Sequence, residues 1–120
     1  MSRLALRDVA GARSGDKGDL ATIALLAPTP PLYAALRREV TPERVRAHVG
    51  SMMRGRVDRF ELPKLLALQF VLHEALDGGA SRSLRSDALG KSYGALLLRL
   101  EIEVHEEELV GWAGPQRPPR

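Results

Sequence analysis

Residues 12–19, Ala-Arg-Ser-Gly-Asp-Lys-Gly-Asp, lie between two apolar runs, Val9–Ala12 and Leu20–Leu26. The flanking runs are short, partly β-branched and bounded by turn residues, so each reads as a strand. A chain with that pattern has to reverse within Ser14–Asp19, and the two strands then pair antiparallel. Gly15 and Gly18 can take φ > 0 without steric penalty, which lets the loop fold tightly and expose its N–H groups. Consecutive exposed N–H groups form an anion-binding nest. Arg13 and Lys17 add positive charge, and Arg can hold a carboxylate or phosphate through two hydrogen bonds. For Asp16 and Asp19 three roles stay open: orienting the cations, capping local N–H groups, or binding a metal. The same residue types also make an ordinary solvated hairpin turn.

Around this hairpin the chain reads as one α+β unit. Leu4–Arg13 is expected to be the first strand, with a bulge near Asp8, and Leu20–Ala27 the second, central and covered. Thr29-Pro30-Pro31 opens a helix, with Leu32, Leu36 and Val40 on one face. Thr41-Pro42 restarts it, Val45, Val49, Met52 and Met53 continue the apolar stripe, and Gly50 stops it. Arg37, Arg38, Arg44 and Arg46 are expected to face solvent, with His48 beside the stripe. Gly55–Leu62 reads as the third strand. Lys64–Leu76, apolar nearly all round, reads as the most buried helix, with Gln69 and His73 on its thin polar strip. Asp77-Gly78-Gly79 ends it. Leu98, Leu100, Ile102 and Val104 alternate with Arg99, Glu101 and Glu103, a half-buried closing strand whose approach, 92–97, has a helical alternative. This order implies a two-layer sandwich, a mainly antiparallel sheet with two helices on one face. The domain spans 1–108, and 109–120 is a Pro-rich tail in which Trp112 docks either on a neighbouring chain or on the domain itself.

A second polar constellation occupies Ser81–Asp87, followed by Gly90-Lys91-Ser92. If it returns beside the hairpin, Arg13, Lys17, Arg82 and Lys91 converge on one anion. Four cations at close range repel unless Asp16, Asp19 and Asp87 interleave or a ligand does. The candidate ligand-binding set is therefore Arg13, Ser14, Gly15, Asp16, Lys17, Gly18, Asp19, Arg82, Ser83, Arg85, Asp87 and Lys91. Neither loop is a nucleotide-binding P-loop. Asp19 follows Gly18 where Lys is required, and Arg85 stands where the first glycine before Gly90-Lys91-Ser92 would be.

Composition narrows the classes. At 120 residues, 44% hydrophobic and 28% charged, this is a single globular domain with room for one core. The absence of cysteine excludes disulfides and thiolate chemistry. No apolar run approaches a membrane span, and the N-terminus lacks the apolar centre of a secretory signal, which reads as cytoplasmic. The net charge of 18 − 15 = +3 and four Phe and Tyr beside one Trp do not call for nucleic acid.

The octapeptide at 12–19 resembles the signature of the AtuA-like ferredoxin-fold domain. Further matches are Tyr33 with Leu36-Arg37, Thr41-x-Glu43-Arg44-Val45, Glu61-Leu62-Pro63, Phe70-Val71-Leu72-His73, Ser81–Arg85, Asp87 and Gly90-Lys91. The resemblance departs after Pro63, where polar residues, often Asn, His and Asn, are expected at 64, 66 and 69 and this chain has Lys64, Leu66 and Gln69. It implies a ferredoxin-like fold. It also implies a place at the C-terminus of acyclic terpene utilisation proteins, or beside them as a small companion chain. The function expected is an accessory module that binds a carboxylate or acyl-CoA-like ligand with that larger partner, as a homo-oligomer, without cofactor or metal. Two alternatives stay open. One is a small acid–base enzyme using Asp16 or Asp19 with Lys17. The other is a purely structural oligomerisation domain.

Overall fold

The computed structural model of the chain describes residues 1–50, 53–75 and 93–112, and only the main chain of Asp16 and Lys17. Among the described residues the elements run in the order β1 (Ser2–Ala5), α1 (Leu6–Val9), β2 (Gly11–Lys17), β3 (Leu20–Leu26), α2 (Pro30–Glu39), α3 (Pro42–Val49), β4 (Val57–Leu62), β5 (Ala67–Leu72) and β6 (Glu101–Val104), with 93–97 also helical. A four-stranded sheet runs β2-β3-β5-β4, and β1 pairs with β6 in a separate two-stranded sheet. Every pairing is antiparallel. The fold is thus the expected α+β domain, with antiparallel sheets and helices packed on one face.

The first strand is divided in two, contrary to expectation. The slip in alternation near Asp8 is a helical turn, α1, that buries Leu6 and Val9. The chain therefore changes sheets: β1 joins β6, and β2 begins again at Gly11. Main-chain bonds from Leu6 to Leu100 and Arg7 to Leu98 carry the β1 pairing into the turn.

The larger correction concerns residues 64–76. They form no helix. Pro63–Leu65 is a single 3₁₀ turn, and Leu66 stands in the left-handed region at φ 53°, where helical hydrogen bonding cannot continue. Ala67–Leu72 then runs as β5 between β3 and β4. Leu68, Phe70 and Leu72 are fully buried, while Gln69 and Val71 are half-buried. A short apolar run has no periodicity that separates a central strand from a buried helix.

Helix starts and stops follow the sequence closely. The Thr29 hydroxyl accepts from Leu32 N–H and the Thr41 hydroxyl from Arg44 N–H, each just ahead of a proline. Gly50 ends α3 at φ 66°. Both helices bury their stripes, Leu32 and Leu36, Val45 and Val49, in the same core as Ile23, Leu68 and Phe70. Met53 joins it, whereas Met52 lies outside the described residues.

Of the arginines expected in solvent, Arg37 is exposed, while Arg38, Arg44 and Arg46 act as structural staples, as does Arg59. Arg59 reaches from β4 to the carbonyls of Arg37 and Val40 at 2.8 and 2.9 Å, where α2 leaves its last acceptors unpaired. Arg46 holds the carbonyls of Gly50 and Gly55. Arg44 and Arg38 bond the Glu101 and Glu103 carbonyls, and Glu39 accepts from Glu103 N–H. Side chains of α2 and α3 thereby occupy the outer edge of β6. Trp112 packs on the domain's own core, as does Leu109. Residues 113–120 lie outside the described residues.

Candidate functional site

Register fixes how the polar hairpin is presented. Gly11–Lys17 pairs with Leu20–Leu26 residue for residue, ending on Lys17 opposite Leu20. The expected six-residue loop at 14–19 is therefore mostly strand. Only Gly18 and Asp19 make the turn, so no nest forms from consecutive N–H groups over Ser14–Lys17. Gly18 has φ 62° and Asp19 is not among the positive-φ residues. Positive φ at the first turn position alone is the type II′ arrangement, which matches the twist of the flanking strands.

Alternation along β2 divides the motif between the two faces of the sheet. Ala12 and Ser14 stand opposite Leu25 and Ile23, both buried in the core. Arg13 and Gly15 stand opposite Ala24 and Thr22, both half-buried on the other face. A Cβ at Gly15 would lie 3.0 Å from Thr22 Oγ1, so glycine here leaves room beside that hydroxyl. Arg13 is exposed, and among the described residues it makes no ion pair or hydrogen bond.

The hairpin tip is anchored. The Asp19 carbonyl accepts from Ala75 N–H at 3.0 Å. The Tyr93 hydroxyl, fully buried, donates to the Ala75 carbonyl at 2.6 Å. Burial, and secondarily the charge of Asp19, pushes the Tyr93 phenol above its usual range. Next to it, a Cβ on Gly94 would meet Ser14 Oγ, so any larger residue in the helical stretch 93–97 at this point would require the Ser14 side chain to shift.

A tight II′ hairpin carrying this octapeptide, set at the edge of an antiparallel sheet, is what the sequence comparison has to match. The family model for the AtuA ferredoxin-like domain covers residues 4–103. The chain belongs to this family. No curated protein and no solved structure matches it.

In this AtuA ferredoxin-like domain, the second half of the candidate set, Arg82, Ser83, Arg85, Asp87 and Lys91, falls outside the described residues. The residues that bracket that segment, Ala75 and Tyr93, are the two tied to the hairpin tip. Gln69 and His73, expected on a helix strip, lie on β5 and just after it. Both share the sheet face of Thr22 and Arg13.

The AtuA ferredoxin-like domain also holds a pair that the sequence reading missed. His73 Nε2 stands 2.8 Å from Asp58 Oδ2, and Arg56 Nε is 3.2 Å from Asp58 Oδ1. The His73 hydrogen bond, and after it Arg56, holds the Asp58 carboxyl below its ordinary range. Reading 67–72 as a strand would have put His73 across from Arg56 and exposed the pairing. His48 Nε2 donates to the Leu96 carbonyl at 2.8 Å and serves as a structural tie. Among the described residues no cluster of three His, Cys, Asp or Glu could hold a metal ion, and no helix is long and apolar enough to cross a membrane.

Proposed function

We propose that this chain is an accessory ligand-binding module working with a larger acyclic terpene utilisation protein. Its ligand is an anionic group, a carboxylate or an acyl-CoA-like thioester of a branched acid. Arg13 and the Gly18-Asp19 turn form one side of the site. Ser14, Gly15, Asp16 and Lys17 complete the hairpin, and Arg82, Ser83, Arg85, Asp87 and Lys91 supply the other side.

The observation that carries this reading is the anchoring of Ala75 and Tyr93. Asp19 bonds Ala75, and Tyr93 bonds the same residue, so the chain leaves for its second polar segment and returns from it beside the hairpin. An exposed Arg13 without a partner among the described residues is available for charge-assisted bonds to an anion.

Isothermal titration of the wild type and Arg13→Ala with an acyl-CoA and with branched carboxylic acids tests it. A charge-assisted bond worth roughly 1.5–3 kcal/mol predicts about a 10- to 100-fold loss of affinity in the variant. Absence of binding by the wild type, or equal binding by both proteins, removes the ligand reading.

A further inference from the structure

The outer edge of β2, unpaired among the described residues, fits a second copy of itself. Which main-chain groups point outward follows from printed bonds elsewhere in the sheet. Ala27 N–H bonds the Leu66 carbonyl, while His73 exchanges bonds with Gly55 and Arg56 on the β4 side. Even-numbered residues of β5 therefore bond β3, and odd-numbered ones bond β4. On β3 the odd residues are used by β5, so Leu20, Thr22, Ala24 and Leu26 bond β2. Their partners are Lys17, Gly15, Arg13 and Gly11. The N–H and C=O groups of Ala12, Ser14 and Asp16 are left on the open edge. Among the described residues nothing bonds the main chain of Ala12 or Ser14 there. The outer edge of β6, by contrast, is filled by Arg38, Glu39 and Arg44. Among the described residues no such block stands on the β2 edge, and an edge strand of seven residues is then a template for pairing.

Charge selects the register. Antiparallel pairing of β2 with its copy is two-fold symmetric, and the outward groups require even residues to face even residues. Centring on Arg13 sets Arg13 against Arg13, and centring on Gly15 sets Arg13 against Lys17, both like-charge pairs that oppose association. Centring on Ser14 sets Arg13 against Gly15 and Lys17 against Gly11, each cation position opposite a glycine. Ala12 then faces Asp16, and all seven residues are paired. Centring on Ala12 or Asp16 also separates the cations but pairs only three strand residues. We propose that two copies of this chain associate through β2 in the register centred on Ser14, fusing two four-stranded sheets into one of eight strands. This is independent of the ligand reading.

Light scattering should give the wild type twice the 13.1 kDa chain mass. Ala12→Pro removes only an outward N–H, which an edge strand tolerates, and should halve that mass with an unchanged circular dichroism spectrum. Ser14→Cys gives the cysteine-free chain one thiol. In a hydrogen-bonded antiparallel pair the two Ser14 Cα atoms lie about 5.5 Å apart, within disulfide reach, so mild oxidation should give a covalent dimer. Gly11→Cys, opposite Lys17, should remain uncross-linked. A monomeric wild type at about 100 μM overturns the proposal. So does a folded Ala12→Pro dimer, or equal cross-linking at positions 11 and 14. The cross-linking arm decides the matter even if Ala12→Pro does not fold.

Discussion

Tyr93→Phe tests the anchoring of the hairpin with a single atom. The ring stays and the core keeps its packing. Only the hydroxyl that donates to the Ala75 carbonyl at 2.6 Å is removed. Ala75 is 1% exposed, so its carbonyl is left buried without that donor. Stranding a buried acceptor costs about 1–3 kcal/mol. For a domain of this size that corresponds to roughly 3–6 °C in Tm per kcal/mol. The chain supplies its own control, because the Tyr33 hydroxyl is buried with no partner among the described residues. Tyr33→Phe removes a desolvated group that gains nothing, so it should be neutral or stabilise by up to about 1 kcal/mol. Urea unfolding of both variants gives the comparison. Alkaline pH supplies a second readout. Burial raises the Tyr93 phenol in the folded state, so its proton is held more tightly there than in the unfolded chain. That contribution is complete below about pH 10 and is lost as pH climbs through the raised value, so Tyr93→Phe should lose less stability above about pH 10 than the wild type. A Tyr93→Phe change under about 0.5 kcal/mol, or an equal cost for Tyr33→Phe, refutes the anchoring argument.

Three further outcomes follow from the geometry. Gly18→Ala places a Cβ at φ 62° and should cost about 1–2 kcal/mol in urea unfolding, whereas Gly11→Ala, with nothing within 4 Å, should change stability by less than about 0.5 kcal/mol. The Asp58 carboxyl is held below its ordinary range by His73 and then Arg56, so its contribution is present above the unfolded value and is lost as pH falls through the lower folded one. Asp58→Asn should therefore show a smaller difference between unfolding midpoints at about pH 6 and about pH 3 than the wild type does. Arg38 holds Glu108 through bonds of 2.6 and 3.0 Å, fixing the turn that precedes Trp112. Arg38→Gln should cost under about 1 kcal/mol overall, because the pair is partly exposed, yet red-shift the fluorescence of Trp112, the chain's one tryptophan.

What could be read in advance divides by the range of the signal. Thr29, Thr41 and Gly50 act on groups within four residues of themselves, so the boundaries of α2 and α3 were legible. The alternation of Ile102 and Val104 with Glu101 and Glu103 likewise marks one buried face of β6. The run 64–76 carried no such signal. Pro63 suits the first turn of a helix as well as a 3₁₀ turn, and β5 carries Gln69 as its one polar residue, with Val71 beside it on the open face, too little to declare a period of two. Its identity depends on β3 and β4 standing on either side, which is tertiary information. Arginine placement failed for a related reason. Arg38 and Arg44 reach carbonyls of β6 that lie 65 and 57 residues away in sequence.

The reversal that carries the proposed site was legible, but its shape was not, and the difference alters the chemistry open to it. Read as a loop, the octapeptide offers every side chain and N–H to one ligand. As a strand it cannot, because alternation assigns Arg13 to the open face and Ser14 to the core side, and half the N–H groups are spent on β3. The Asp19 carbonyl is taken by Ala75 as well. On the proposed reading, an anion held by Arg13 would approach over the face that carries Thr22 and Gln69, not into a cup of backbone donors. Glycine at 15 keeps that approach open beside the Thr22 hydroxyl. A bulky residue there would fill the space next to Arg13 while leaving the β2–β3 ladder intact. Gly15→Val should thus weaken anion binding more than it weakens the fold, and comparable losses in titration and in urea unfolding would mean that the open face is not where the ligand lies.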